Sequence, residues 1–250
     1  MNSKTLHIIG NEFTRNIGHP DEWWEHRLKI YEHYCLESIK NQTNKNFVLT
    51  MTTDFVPDKY RDVIKKILER SGITYYIRNV KDISFSDFIK QFSDGYDYIY
   101  HTRIDSDDLI HKDAVKEIQS YDFAERRALV FQKGYCLDCK GGRLQHYYMP
   151  SPPFSTIMYP IDVYLDEKKQ DEYKQFRSHD ELVYKMNTIV LSENKFIVNV
   201  HGTNRITIYH DDRTIFTGHE KETEITENVD KILTNFGINI NTYNEKIRQN

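Results

Sequence analysis

The strongest constraint on this chain's fold is a rhythm in its first hundred or so residues. Short apolar runs at 5–13, 47–54, 74–80 and 96–104 alternate with segments whose apolar residues recur at helical spacing. Asp21 precedes Trp24, Leu28, Tyr31, Cys35 and Ile39, which share one helical face. Pro57 suits a first helical turn, Val63, Ile64, Ile67 and Leu68 form the next apolar face, and Gly72 suits its C-terminal stop. Phe85, Phe88, Ile89 and Phe92 mark a third helix over 82–92. Strand–helix alternation with short connections predicts an α/β fold with a Rossmann-like, mostly parallel sheet and helices on both faces. Ligands of such sheets bind beyond the carboxyl ends of the strands.

The rhythm changes after a helix expected over 112–121. Runs at 128–137 and 143–149 flank Asp138-Cys139-Lys140-Gly141-Gly142, the pattern of a hairpin. Pro150, Pro152 and Pro153 break regular structure, and 166–175 reads as a charged, exposed stretch. A short helix over 180–186 and strands at 189–191 and 196–200 complete the expected core. Val229, Ile232, Leu233 and Phe236 then recur at helical spacing. The chain therefore divides into one α/β domain over 1–218 and a helical extension over 219–250 packed on it.

With 250 residues, 38% of them hydrophobic and 29% charged, the chain suits one sizeable soluble α/β domain. A net charge of -4 excludes a global basic field drawing in nucleic acid or acidic lipid. No apolar run reaches the roughly 20 residues of a membrane helix. MNSKTLHIIG lacks the features of a signal peptide, and three cysteines make no disulfide framework. A cytoplasmic protein is expected.

The segment Arg103-Ile104-Asp105-Ser106-Asp107-Asp108 falls at the carboxyl end of the fourth strand. Three carboxylates within four residues repel one another unless one is protonated, a cation lies between them, or water screens them. Hard oxygens on a short turn suit Mg²⁺ or Mn²⁺, which share their coordination with substrate phosphates. The simpler role is a cap for the following helix, and the two are compatible. Relief of this repulsion predicts that Asp107→Asn leaves the fold intact.

At this point the sequence resembles a known family. Asp105-Ser106-Asp107 is similar to the DxD motif of glycosyltransferases with the A-type fold (GT-A). The phrase from Arg103 to Asp108 resembles the RxDSDD phrase of the rhamnosyltransferase-like family. Phe13-Thr14-Arg15, then Trp24, Arg27, Tyr34-Cys35-Leu36, Ser38 and Gln42, then SPPFST from Ser151 to Thr156, and His201-Gly202-x-Asn204 agree in order over about 5–205. The resemblance implies a nucleotide-sugar site in which Asp107 binds the metal bridging two phosphates, with Asp105 assisting at the ribose or through a metal-bound water. It also implies that His201 completes the metal shell, with His210 the competing choice, and that Asp180 or Glu181 is the base that deprotonates the acceptor hydroxyl.

Each of these residues also has a plainer role. Asp180 and Glu181 favour the dipole of a helix they begin, and most of the 11 histidines must be structural or exposed. Strand ends would place Thr14, Arg15 and Asp54 around the base and ribose, with Arg103 reaching phosphate or base. Cys136-x-x-Cys139 has the spacing of half a zinc site with no second half. Trp23, Trp24, Tyr147, Tyr148 and Phe154 are candidates to stack on a sugar, although such residues more often pack a core. A His201 ligand requires the strand ending at Val200 to lie beside the one ending at Ile104. The expected activity is Mn²⁺- or Mg²⁺-dependent sugar transfer, with inversion, from a nucleoside-diphosphate sugar to a hydroxyl. That transfer includes rhamnose to a surface glycan, with a nucleic-acid base the lesser acceptor. The alternatives are a nucleotidyltransferase acting on sugar phosphates and a non-catalytic sugar- or nucleotide-binding module.

Overall fold

The computed structural model describes residues 4–14, 16, 18–121, 127–152, 154–174, 176, 178–204, 209 and 224–238. Strand β1 (Thr5–Glu12) leads into α1 (Asp21–Ile30), which runs through one wider π turn (Tyr31–Cys35) into α2 (Leu36–Lys40). There follow β2 (Val48–Thr52), α3 (Asp58–Ser71), β3 (Tyr75–Arg78), α4 (Phe85–Lys90) and β4 (Tyr98–Arg103). Gly72 ends α3 at φ +71°, a left-handed conformation that only glycine adopts without strain. Strands β1, β2, β3 and β4 are parallel neighbours in the order β3-β2-β1-β4. This is the half that the alternation predicts.

The second half is mixed. After β5 (Leu109–Ile110) and α5 (Ala114–Ile118) come β6 (Ala128–Asp138), β7 (Arg143–Tyr148), β8 (Ser155–Pro160), α6 (Ile161–Tyr164), α7 (Glu167–Lys174), a 3₁₀ turn (His179–Glu181), α8 (Leu182–Lys185), β9 (Thr188–Val200) and α9 (Val229–Asn235). The sheet continues from β4 through antiparallel β8 to β6, then to β9 parallel to β6, and ends at β5, with β7 also paired to β6. The two runs expected at 189–191 and 196–200 are one strand, and the charged stretch at 166–175 contains a helix. SPPFST does not simply break structure: Ser155 and Thr156 begin β8, and Phe154 is buried on Phe131.

Helices cover both faces. On one, Ile9, Leu49 and Met51 pack with Trp24, Leu28, Tyr31, Ile64 and Leu68; on the other, Leu6, Ile8 and Ile99 pack with Phe88, Ile89, Tyr164 and Leu182. A third cluster joins Ile30, Tyr34, Leu109, Leu137 and Ile197 to Leu233, Phe236 and Ile238 around α9. Each such side chain contributes roughly 1.5–3 kcal/mol when fully buried.

The expected adjacency of the strands ending at Ile104 and Val200 needs correction. Strands β8 and β6 lie between β4 and β9. The chain leaving β4 turns through the acidic cluster and returns as β5, whose Leu109 and Ile110 pair with Ile197 and Phe196. This two-residue ladder brings the two chain segments together.

Candidate functional site

The segment after β4 is held from below by residues of β1 and the first helices. Asn11 Nδ2 donates to the Ile104 carbonyl at 2.8 Å, and Cys35 Sγ lies 3.6 Å from the Asp105 carbonyl. Ser38 Oγ accepts from the Ile110 amide at 3.1 Å, while Gln42 donates to the His111 carbonyl and accepts from the Val115 amide. These are small polar groups placed where a two-residue strand leaves backbone groups to satisfy. The turn can therefore present its carboxylates in a fixed direction.

Asp107 meets two partners there. Arg27 Nη1, from α1, donates to Asp107 Oδ2 at 2.5 Å, and His201 Nε2 lies 3.0 Å from the same oxygen and 2.9 Å from Arg27 Nη1. Arg27 Nη2 also donates to Ser106 Oγ at 3.0 Å. Side-chain exposure is 7% for Arg27, 14% for Asp107 and 0% for His201, so the cluster is largely shielded from water. Burial alone raises the Asp107 pKa, but the Arg27 charge and the hydrogen bonds from His201 and Arg27 outweigh it. They hold the carboxyl well below the usual carboxylate range. Burial, reinforced by Asp107 and Asp105, pushes Asp108 far upward instead. Asp108 Oδ1 accepts from the Asn199 amide at 3.1 Å, tying the turn to β9.

His201 is fixed by the turn that follows β9. Asn204 Oδ1 accepts from its amide at 2.7 Å while Asn204 Nδ2 donates to the Asn199 carbonyl at 2.7 Å. Gly202, at φ +89°, makes that reversal possible. Thr203 Oγ1 lies 3.0 Å and His26 Nε2 3.3 Å from His201 Nδ1. The cluster opens on a cavity of about 1120 Å³ lined by Thr14, Trp23, Arg27, Arg78, Arg103, Asp105, Asp107, Tyr147, Tyr148, His179 and Asp180. A nucleotide sugar fits a space of that size.

The sequence matches the family described as "Putative rhamnosyl transferase" over residues 10–209. The chain belongs to that family. The structure of S. aureus TarS 1–349 in complex with UDP-GlcNAc aligns with a TM-score of 0.51 at 14% identity, covering 84% of this chain and 62% of that one. This chain thus spans about three fifths of the TarS fragment. The shared fold is the GT-A type. Weaker likenesses include a cytidylyltransferase from Leptospira borgpetersenii serovar Hardjo-bovis (TM-score 0.41, 14% identity, covering 78% of each chain). Another is the glycosyltransferase GlyE of Streptococcus pneumoniae TIGR4 (TM-score 0.39, 12% identity, covering 76% of this chain and 45% of that one). No curated protein sequence matches the chain.

Within this rhamnosyl transferase family member, the residues singled out from sequence divide clearly. Asp107 and His201 meet. Asp105 turns away and pairs with Arg103 at 2.8 Å, both partly exposed. Thr14 lines the cavity with its hydroxyl 3.1 Å from His19 Nε2, and His19 stacks on Trp23 with ring centroids 3.8 Å apart. Asp54 accepts from the Val80 amide at 2.6 Å and stands 3.8 Å from Arg78, which itself lines the cavity. Asp180 lines the cavity, and Glu181 is not among its lining residues. Arg15 and His210 lie outside the described residues. Trp24 is core, stacked on Tyr60, while Trp23, Tyr147 and Tyr148 line the cavity. Cys136 and Cys139 are both buried, and burial pushes the Cys139 thiol up to about 11.

Sequence reasoning placed Arg27 in the family pattern but gave it no role in the site. Its signal was available: an arginine three residues after Trp24 and one before Leu28 falls on the inward face of its helix, where its charge needs a buried anion. The donor set also bears on a divalent metal. Among the described residues no group of three or more His, Cys, Asp or Glu side chains converges. Asp107 Oδ2 and His201 Nε2, 3.0 Å apart, have the separation of adjacent corners of an octahedron with bonds of about 2.1 Å. Arg27 Nη1 already engages both donors, at 2.5 and 2.9 Å, so an ion shared between them would have to displace the guanidinium and take its other ligands from phosphate and water.

Proposed function

We propose that this protein transfers a sugar from a nucleoside-diphosphate sugar to an acceptor hydroxyl with inversion at the anomeric carbon. The observation that carries the reading is the shielded Arg27–Asp107–His201 cluster opening on the cavity, in a chain of the rhamnosyl transferase family. TarS, with the same fold, is a protein whose structure holds UDP-GlcNAc, which supports a nucleotide-sugar donor here. The donor's base and ribose lie along Thr14, Trp23 and Arg78, with the Asp54–Arg78 pair beside them. The diphosphate lies at Arg27 and Arg103, whose guanidinium groups suit phosphate oxygens. A Mn²⁺ or Mg²⁺ ion taking the place of the Arg27 guanidinium at Asp107 and His201 would supply positive charge to the departing diphosphate. Asp105 orients Arg103 and reaches the ribose. Tyr147, Tyr148, His179 and Asp180, which line the same cavity, receive the acceptor, a glycan hydroxyl presented against aromatic rings. The base that activates the acceptor belongs to the turn His179–Glu181, of which His179 and Asp180 line the cavity.

Calorimetry with nucleoside diphosphates and nucleotide sugars, with and without Mn²⁺, tests this directly. Specific binding of a nucleotide sugar and release of a nucleoside diphosphate are expected. Release of pyrophosphate from a nucleoside triphosphate and a sugar phosphate would replace this reading with nucleotidyl transfer.

A further inference from the structure

The acidic pair at 180–181 drew attention from the sequence, yet the geometry points to the residue before it. We infer that His179 Nε2 is the atom that takes the proton from the acceptor hydroxyl, and that Asp180 positions its ring. The inference deepens the transfer reading and rests on it.

His179 Nδ1 lies 2.9 Å from the Ser151 carbonyl oxygen. A carbonyl oxygen only accepts, so this nitrogen carries the hydrogen, and the lone pair of the neutral ring is on Nε2. Ser151 is buried, and its hydroxyl donates in return to the His179 carbonyl. The SPPFST segment and the 3₁₀ turn are thus joined at two points, each through a backbone carbonyl that cannot rotate freely. Asp180 Oδ1 stands 3.2 Å from the same Nδ1, while Asp180 Oδ2 accepts from Ser178 Oγ at 3.1 Å. Both carboxylate oxygens face the Nδ1 side of the ring or the N-terminus of their own turn. The Asp180 side chain is 66% exposed, whereas that of His179 is 26% exposed and lines the cavity beside Tyr147, Tyr148 and Pro150. His179 Nε2 has no hydrogen-bond partner among the described residues. This is the arrangement of a general base whose other nitrogen is oriented by a third group.

The step balances simply. The acceptor oxygen forms a bond to the anomeric carbon, and its proton moves to His179 Nε2. The bond from the anomeric carbon to the diphosphate oxygen breaks, and that oxygen leaves with the electron pair.

Two measurements test the assignment. Long-range ¹H–¹⁵N spectra of the whole protein, with His179 assigned by loss of its signals in His179→Gln, should show Nδ1 protonated and Nε2 bare in the neutral ring. A protonated Nε2 in the neutral ring overturns the proposal, whatever the protein's activity. Nucleoside diphosphate release is then followed with UDP-N-acetylglucosamine and a nucleoside-diphosphate rhamnose, with water as the smallest hydroxyl acceptor. His179→Ala should lower turnover by about 10²–10⁴-fold, the usual contribution of a general base. Donor affinity by calorimetry should stay within about twofold, and added imidazole should restore part of the rate. Asp180→Asn should cost about tenfold. A large loss in Asp180→Asn with near-normal His179→Ala assigns the proton to Asp180 and overturns the proposal. Failure of the wild type to bind either nucleotide sugar removes the transfer reading itself, a result distinct from either variant outcome.

Discussion

Replacing Asp107 with asparagine should destabilise the protein, against the expectation from its sequence neighbours. Asp105 and Asp108 repel Asp107, but the structure sets Arg27 Nη1 2.5 Å from its carboxylate, with side-chain exposures of only 7% and 14%. Breaking a buried pair costs about 3–5 kcal/mol, because the remaining charge stays out of water. Asparagine keeps an oxygen that accepts from Arg27, so we take roughly 2–3 kcal/mol. A chain of this size loses about 2–4 °C of Tm per kcal/mol, giving a fall of about 4–12 °C. Urea unfolding in EDTA, so that no metal contributes, reads the same quantity. Arg27→Met should cost a similar amount, and the double variant should lose about 2 kcal/mol less than the sum. The pH dependence has a definite sign. Asp107 is held below its ordinary value of 3.8, so the pair stabilises the fold above that pH and is lost as pH falls further. An unchanged midpoint in Asp107→Asn, or additivity of the two variants within about 0.5 kcal/mol, refutes the buried pair.

Three further outcomes are expected. Asp108 is pushed far up by burial and its acidic neighbours, so the wild type loses stability as pH rises above 3.8 toward its folded pKa. Asp108→Asn, which keeps an acceptor for the Asn199 amide, should raise Tm at pH 7 and flatten that decline; a lower Tm at every pH would contradict this. His201→Ala should raise the Mn²⁺ concentration needed for half-maximal turnover, with partial recovery at high Mn²⁺, and wild-type turnover unaffected by EDTA would end the metal assignment. Gly202→Ala, at φ +89°, should cost about 1–2 kcal/mol by denaturant unfolding, and a neutral result would mean the turn after β9 tolerates another conformation.

The parallel half was legible because each of its elements carries its own signal. The mixed half was not, for identifiable reasons. Strand β5 has two residues, too few for any periodicity, and the backbone at and just after it is held by Ser38 of α2 and by Gln42 just beyond that helix. Strand β8 follows a proline cluster that reads as a break. Strand β9 reads as two runs because Ser192 and Glu193 in its middle are exposed. Helix α7 buries only Gln170, so no apolar face announces it. At the site, the meeting of Asp107 with His201 followed from the resemblance, whereas Arg27 and the clamp on His179 depend on contacts between segments far apart in the chain.

The place of β8 has a consequence for how this protein is made. The parallel half can be complete once β4 has emerged, but β6 joins it only through β8, whose first residue comes 52 positions after Arg103. At a synthesis rate of about 5–20 residues per second, the open edge of β4 waits roughly 3–10 s for its neighbour on the ribosome. During that interval an unpaired edge is offered to other chains, and β6 and β7 emerge as a hairpin with nothing to dock on. A slow-codon stretch or a truncation between 104 and 155 should lengthen the exposure and favour aggregation, whereas the same change after 200 should not.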